Sequence, residues 1–324
     1  MKLRIYLSII ILLTLFSSCD REINFDFPDV EPAIVVNSII TPESPISVSV
    51  SAVMPIAPES YIWVADTDES GNISYLQIPK PKYCIEDASV LIYEDGVLLC
   101  SLEYDGEGYY VSDRYPKVGS TYTLVVNAPG YKECKATTTL YNLPVLSNLS
   151  FCDTVSVNEE GYPLSKLRFT ITDNDPNRNF YEMSCRAVSD KYNVEYDWIS
   201  FDKSRNGDKV LTQSECLPFD QSSLLFTDDY FSNGSYNLDV VYSYLPYAPM
   251  VKYDLEITVK SISQSYYEYR RSRMMQAYQD EGLFEWLANY ESLSATPVEI
   301  YSNIENGYGV FASYSTMTDT IMRR

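Results

Sequence analysis

From Ala33 onward the apolar residues recur at alternate positions, in runs of a few residues each. Successive side chains of a strand point to opposite faces, so this period marks half-buried strands and not helices. Ala33 to Ile40 is rich in β-branched residues and ends in the turn Thr41-Pro42-Glu43-Ser44-Pro45. Ile46, Val48 and Val50 then alternate with Ser47, Ser49 and Ser51. Ala88 to Tyr93 and Val97 to Leu102 flank Glu94-Asp95-Gly96, a hairpin signal. Leu102 to Tyr104 and Tyr109 to Val111 flank a second turn, Asp105-Gly106-Glu107-Gly108. Tyr122 to Asn127 and Lys132 to Leu140 flank a third, Ala128-Pro129-Gly130-Tyr131. Short strands at this spacing predict an immunoglobulin-like antiparallel β-sandwich over 30–143. The polar stretch Glu59 to Lys82, which carries Trp63, reads as a long loop inserted in it.

A second β-rich section, 144–324, opens at Leu143-Pro144. Leu167 to Ile171 and Asn179 to Ala187 read as strands on either side of Thr172 to Arg178. Ser189 to Asp220 is polar and reads as irregular. Tyr236 to Tyr244 and Tyr253 to Ser261 read as further strands. Near Ser263 the period changes. Ile262, Tyr266, Tyr269 and Ala277 share one helical stripe, with Tyr267, Met274 and Tyr278 beside it. Ser265 and Glu268 fit a capping box. Leu283 to Ser292, with Trp286, reads as a second helical stretch, so the helical part covers about 263–292. Val298 to Tyr301 and Val310 to Tyr314 read as closing strands, and Asn306-Gly307 as a turn with Phe311 packed inside. The fold class expected is mainly β, with one or two helices near the C-terminus.

The start of the chain breaks the strand pattern. Lys2 and Arg4 precede an apolar run from Ile5 to Phe16, too short for a membrane span of about 20 residues. It reads as a secretory signal over 1–18. Leu15-Phe16-Ser17-Ser18-Cys19 resembles a bacterial lipoprotein cleavage site, which makes Cys19 the lipidated first residue of the mature chain. Two or three acyl chains, at about 0.8 kcal/mol per buried CH₂, make a stable anchor. Residues 19–29, with Asp20, Glu22 and Asp26, form an acidic tether.

Composition narrows the chemistry. The chain of 324 residues has no histidine, which excludes Ser-His-Asp triads, Cys-His dyads and His-ligated zinc. A net charge of -21 argues against nucleic-acid partners and against electrostatic adsorption to anionic membranes. Arg270, Arg271 and Arg273 are a basic cluster in this acidic chain and are read as offsetting the protein's own field. Cys84, Cys100, Cys134, Cys152, Cys185 and Cys216 show no CxxC spacing, and read as one or two disulfides plus buried thiols. Asp173 and Asp175, with Asn177, resemble a Ca²⁺ loop. The EF-hand pattern fails because Arg178 stands where Gly is required, and an Asx-rich turn explains the same residues. No carboxylate pair stands out among 45 acids, so no catalytic residue is assigned and the protein is read as a non-enzyme. Tyrosine is abundant at 30 residues. Its ring packs on ligands while its hydroxyl hydrogen-bonds, so Trp198, Tyr196, Tyr244 and Tyr247 form a candidate binding face. Many of the other tyrosines are expected on strands.

Several blocks resemble a known family. They are Asp173-Asn174-Asp175-Pro176 before Asn179-Phe180-Tyr181, Ser261-Ile262-Ser263 before Tyr266-Tyr267-Glu268-Tyr269, and Pro297 through Phe311 with Ser302-Asn303-Ile304-Glu305-Asn306-Gly307. With Ile34-Val35-Val36 and the lipobox, these resemble the Bacteroidota lipoprotein family called domain of unknown function forty-two forty-nine. The resemblance implies an outer-membrane lipoprotein facing the cell exterior, partnered with a TonB-dependent β-barrel receptor and carrying no cofactor beyond the lipid on Cys19. It implies an accessory, ligand-capturing role without catalysis. A structural subunit of another outer-membrane secretion or assembly complex, or a carboxylate-based surface hydrolase, is the alternative. Asp153-Thr154-Val155 and Asp319-Thr320-Ile321 resemble the O-glycosylation pattern of the same bacteria, with Thr154 and Thr320 as acceptors.

Overall fold

The computed structural model describes residues 32–53, 61–67, 73–79, 84–157, 161, 163–173, 175, 177–189, 194–196, 199–201, 223–231, 233–244, 254–289 and 299–321. Among these run β1 (Ile34–Ile40), β2 (Ser47–Ala52), β3 (Tyr61–Thr67), β4 (Ile73–Pro79), β5 (Ser89–Glu94), β6 (Val97–Tyr104), β7 (Tyr109–Val111), β8 (Thr121–Asn127) and β9 (Cys134–Thr139). There follow β10 (Val145–Val157), β11 (Pro163–Thr172), β12 (Phe180–Ser189), β13 (Val194–Tyr196), β14 (Ile199–Phe201), β15 (Ser223–Thr227), β16 (Ser235–Tyr244), β17 (Asp254–Ile262), the helix α1 (Gln264–Asn289) and β18 (Gly307–Ile321). The protein is mainly β with a single helix among the described residues.

The local signals explain the hairpins. Asp95 and Gly96 both take positive φ, at 49° and 80°, as the tight turn between β5 and β6 requires. Asp105 Oδ1 accepts the N–H groups of Glu107 and Tyr109 at 2.7 and 3.1 Å and so holds the turn before β7. Strand alternation then sorts the side chains. In β1, Ile34, Val36 and Ile40 are buried while Asn37 and Ile39 face out.

One sheet carries most strands, in the order β13-β12-β17-β18-β1-β2-β7-β6-β5-β8-β9, with β15 also on β12. A second sheet runs β10-β11-β16-β14. In the first lobe the large sheet curls around a core of Ile34, Val48, Val90, Tyr122, Leu124 and Phe311. In the second lobe, Phe169 of β11 and Val240 of β16 face Met183 of β12 and Ile257 of β17, two sheets packed as a sandwich. The boundary at 143 falls between β9 and β10, yet β18 returns from the second section to pair in parallel with β1.

Several expectations need correction. Glu59 to Lys82 is not a plain loop, because β3 and β4 pair antiparallel from Tyr61↔Pro79 to Thr67↔Ile73. Ser189 to Asp220 holds β13 and β14, whose three residues each are too short to show a period. β10 was not foreseen. Its register shifts twice against β11, and Asn148 takes a φ of 56°, so the alternation of its apolar residues is broken. β11 and β12 flank one turn but lie in different sheets. The helical stretches are one helix. Glu299 to Tyr301 carry no strand, and Val298 lies outside the described residues. Cys84, Cys100, Cys134, Cys152 and Cys185 are free thiols, so the expected disulfide is not among them, and Cys216 lies outside the described residues. Burial raises the Cys185 and Cys134 thiols above their ordinary pKa, which keeps them protonated.

The helix cap also differs. Ser263, not Ser265, is the N-cap. Its Oγ accepts the Tyr266 N–H at 3.2 Å and its carbonyl accepts the Tyr267 N–H at 3.0 Å. Ser265 Oγ instead donates to the Phe311 carbonyl at 3.0 Å. Ser263 Oγ further accepts the buried Ser313 N–H at 3.0 Å. Ser263→Ala is therefore expected to cost about 2 kcal/mol in urea unfolding, the lost cap plus an orphaned buried donor.

Candidate functional site

Helix α1 lies against β12 and β18 through Tyr266, Met274, Phe180, Val310 and Ala312. Beneath its first turns sits Glu182, only 4% exposed. Its neighbours in β12 alternate, so Phe180 and Glu182 face the helix while Tyr181 and Met183 enter the second core. Glu182 Oε1 accepts from Ser223 Oγ at 2.9 Å and from Arg270 Nη2 and Nε at 2.9 and 3.2 Å. Oε2 accepts from Lys260 Nζ and from the Tyr266 hydroxyl, both at 2.9 Å. Burial would raise the Glu182 carboxyl, but the Lys260 and Arg270 charges outweigh it and hold its pKa at about 2. Lys260 also lies 5.0 Å from the centre of the Tyr314 ring. With five donors on two oxygens, this carboxylate is saturated and stays ionised, a state suited to fixing the helix and unsuited to moving protons.

On its outer side α1 forms one wall of a cleft of about 470 Å³. Glu268, Arg271, Ser272 and Met275 stand on the helix at positions i, i+3, i+4 and i+7, and Glu299, Ile300, Tyr301 and Ser302 form the opposite wall. Ser272 Oγ accepts the Tyr301 N–H at 3.0 Å and ties the walls together. Burial, then the Glu268 charge, raises the Tyr301 hydroxyl above its ordinary pKa, so it stands as a donor at neutral pH. Polar groups of both signs beside Met275 and Ile300 give a mixed lining within the usual size range of ligand pockets.

The basic cluster thus divides. Arg270 serves Glu182, Arg271 lines the cleft, and Arg273 donates to Gln276 Oε1 at 3.2 Å. Of the candidate aromatic face, Tyr196 ends β13, opposite Ala187 on the large sheet, and Tyr244 pairs with Ile199 on the second sheet. β13 and β14 are consecutive in the chain but lie in different sheets, and Tyr244 stands on β16, an inner strand of the second sheet. Trp198 and Tyr247 lie outside the described residues, as does Cys19. Asp173 Oδ1 accepts the Asp175 N–H at 2.8 Å and Oδ2 accepts the Tyr181 hydroxyl at 2.5 Å. Asp175 Oδ1 accepts the Asn177 N–H at 2.9 Å. The two carboxylates therefore build consecutive Asx turns. Among the described residues no group of three or more Cys, Asp or Glu is placed to hold a metal ion. Thr320 is exposed near the end of β18, and Thr154 lies on the edge strand β10. Glu182 and Lys260 were missed by sequence reasoning. Both stand on the polar phase of their strands, on the face opposite Tyr181 and Met183 in β12 and Ile257 and Val259 in β17, so the periodicity alone reads them as outward-facing.

A β-rich body of two lobes, braced by one helix over a buried ion-pair network, is the class of protein defined here. The chain belongs to the family described as domain of unknown function DUF4249, which matches residues 20–320. No curated protein matches it. Among solved structures it is similar to a membrane-anchored protein of Corynebacterium diphtheriae at 8% identity and a TM-score of 0.20, over 72% of this chain and 55% of that one. The chain thus spans about half the length of that protein. No helix among the described residues is long and apolar enough to cross a membrane.

Proposed function

We propose that the protein is a lipid-anchored lipoprotein of the bacterial outer membrane, facing outward, and that it serves a TonB-dependent β-barrel transporter as a non-catalytic, ligand-capturing subunit. The observation that carries the reading is the N-terminal address: a basic start, a short apolar run and a lipobox ending at Cys19, then an acidic tether. β1 begins at Ile34, so a short tether joins the lipid to the body. The net charge favours attachment by lipid and protein contacts over charge. The cleft beside α1 supports a capture role, because it offers donors, acceptors and apolar surface together.

Two measurements test this. Cys19→Ala is expected to abolish acylation, seen by intact mass, and to move the protein from the membrane to the soluble fraction. Purification from native membranes in mild detergent is expected to recover a β-barrel receptor in stoichiometric amount. A lone monomer would sink the transporter reading while leaving the anchor intact.

A further inference from the structure

A single strand completes both lobes. β18 stands between β1 and β17 in the large sheet. Gly307 to Ser313 pair with all of β1, and Tyr314 to Ile321 pair with β17. Its side chains enter each core: Phe311 the first, Met317 and Ile321 the second, Val310 and Ala312 the cluster under α1. It also closes the first lobe from behind. Ser313 Oγ donates to the Thr139 carbonyl at 2.7 Å and Ser315 Oγ to the Tyr141 carbonyl at 2.9 Å. The helix cap needs it too, since the Ser263 N–H donates to the Ser313 carbonyl at 2.9 Å. Without β18, both β1 and β17 become open edges beside unfinished cores, and α1 loses its floor.

The partners β1 and β18 are far apart in sequence, with Ile34 opposite Gly307. Contacts of such separation form late, because loop closure costs entropy before any packing offsets it. We propose that β18 is a closing strap: neither lobe reaches its native structure until residues 307–321 dock, and both then close in one step. A chain cut short before Gly307 stays open, as does a nascent chain that has not yet exposed these residues. That behaviour suits a chain that must cross a membrane unfolded, on the export reading above, but the folding step itself is independent of the anchor.

The test is pulse-labelled hydrogen exchange during refolding of the full mature chain without its lipid. Amides of β5 and β8 in the first lobe and of β11 and β12 in the second are expected to gain protection with one rate constant, shared with β18. Protection of β5 and β8 at least tenfold earlier than β18 overturns the proposal. Phe311→Leu, a mild change in the strap, is expected to slow protection in both lobes by the same factor. A slowing confined to the first lobe overturns it as well. Ribosome-arrested chains give a third reading: one that exposes residues only to Ile304 is expected to be digested as fast as unfolded protein. A protease-resistant fragment covering β1 to β9 in that chain counts against the strap.

Discussion

Glu182→Gln is expected to lower stability by about 3 kcal/mol at pH 7 and to flatten the acid limb of the stability profile. The carboxylate is buried and accepts five hydrogen bonds, two partners being the cations Lys260 and Arg270. Removing one member of a buried ion pair costs about 3–5 kcal/mol, because its partners are left uncompensated. Lys260 and Arg270 are 26% and 34% exposed at the side chain, so water recovers part of that cost and the lower end applies. The pH dependence follows from the same contacts. The folded pKa of about 2 lies below the ordinary value of 4.5, so the folded state binds the proton less readily. The stabilisation is complete above about pH 4.5 and is lost as pH falls from there towards 2. A shift of that size corresponds to roughly 3 kcal/mol. Urea unfolding of both proteins from pH 7 down to pH 3 checks this. An unchanged acid limb in Glu182→Gln would place the titrating group elsewhere.

Gly309→Ala is expected to cost about 4 kcal/mol or more, the largest effect of any single methyl in the first lobe. Gly309 has a φ of 104°, a conformation that side chains rarely adopt, and its Cβ would fall on the Val36 carbonyl oxygen. Backbone lies there and cannot move aside without breaking the β1–β18 pairing. Gly307→Ala meets Ile34 O at 2.7 Å and Cys134 Sγ at 2.8 Å, so it is expected to be costly without the φ penalty. Thermal unfolding should rank the two in that order. A Gly309→Ala protein as stable as the parent would mean that the two strands pair more loosely than described.

The tyrosines show how far composition carries an argument. Apart from the candidate face, Tyr110, Tyr122, Tyr181 and Tyr266 are core residues whose hydroxyls reach a partner. Tyr110 donates to the Ile85 carbonyl at 2.6 Å, Tyr122 to Glu94 at 2.8 Å and Tyr266 to Glu182 at 2.9 Å. Burial pushes the Tyr122 hydroxyl up to about 12. Tyrosine here is a large apolar ring that also satisfies inner polar groups. Nothing in the sequence separates such a residue from a ligand contact, because the difference lies in what the hydroxyl meets.

The strands with strict alternation, β1, β2, β5, β8 and β17, were legible, as were their turns. Each depends on local periodicity and on residues that favour positive φ. β10 was not, since its bulges break the period. The cap was misplaced by two residues because Ser265, with Glu268 three residues on, carries the capping-box signal and Ser263, with Tyr266 there, does not; the approach of β18 draws the Ser265 hydroxyl to Phe311 and leaves Ser263 at the helix N-terminus. Local chemistry, then, determined the strand content, the helix and the absence of histidine mechanisms, and it carries the proposed address at Cys19. The tertiary structure alone decided that β18 returns to β1, that Arg270 and Lys260 meet on Glu182, and that α1 and Glu299–Ser302 enclose a cleft. Those are contacts between residues far apart in the chain, and a one-dimensional pattern carries no information about which distant edges and charges find each other.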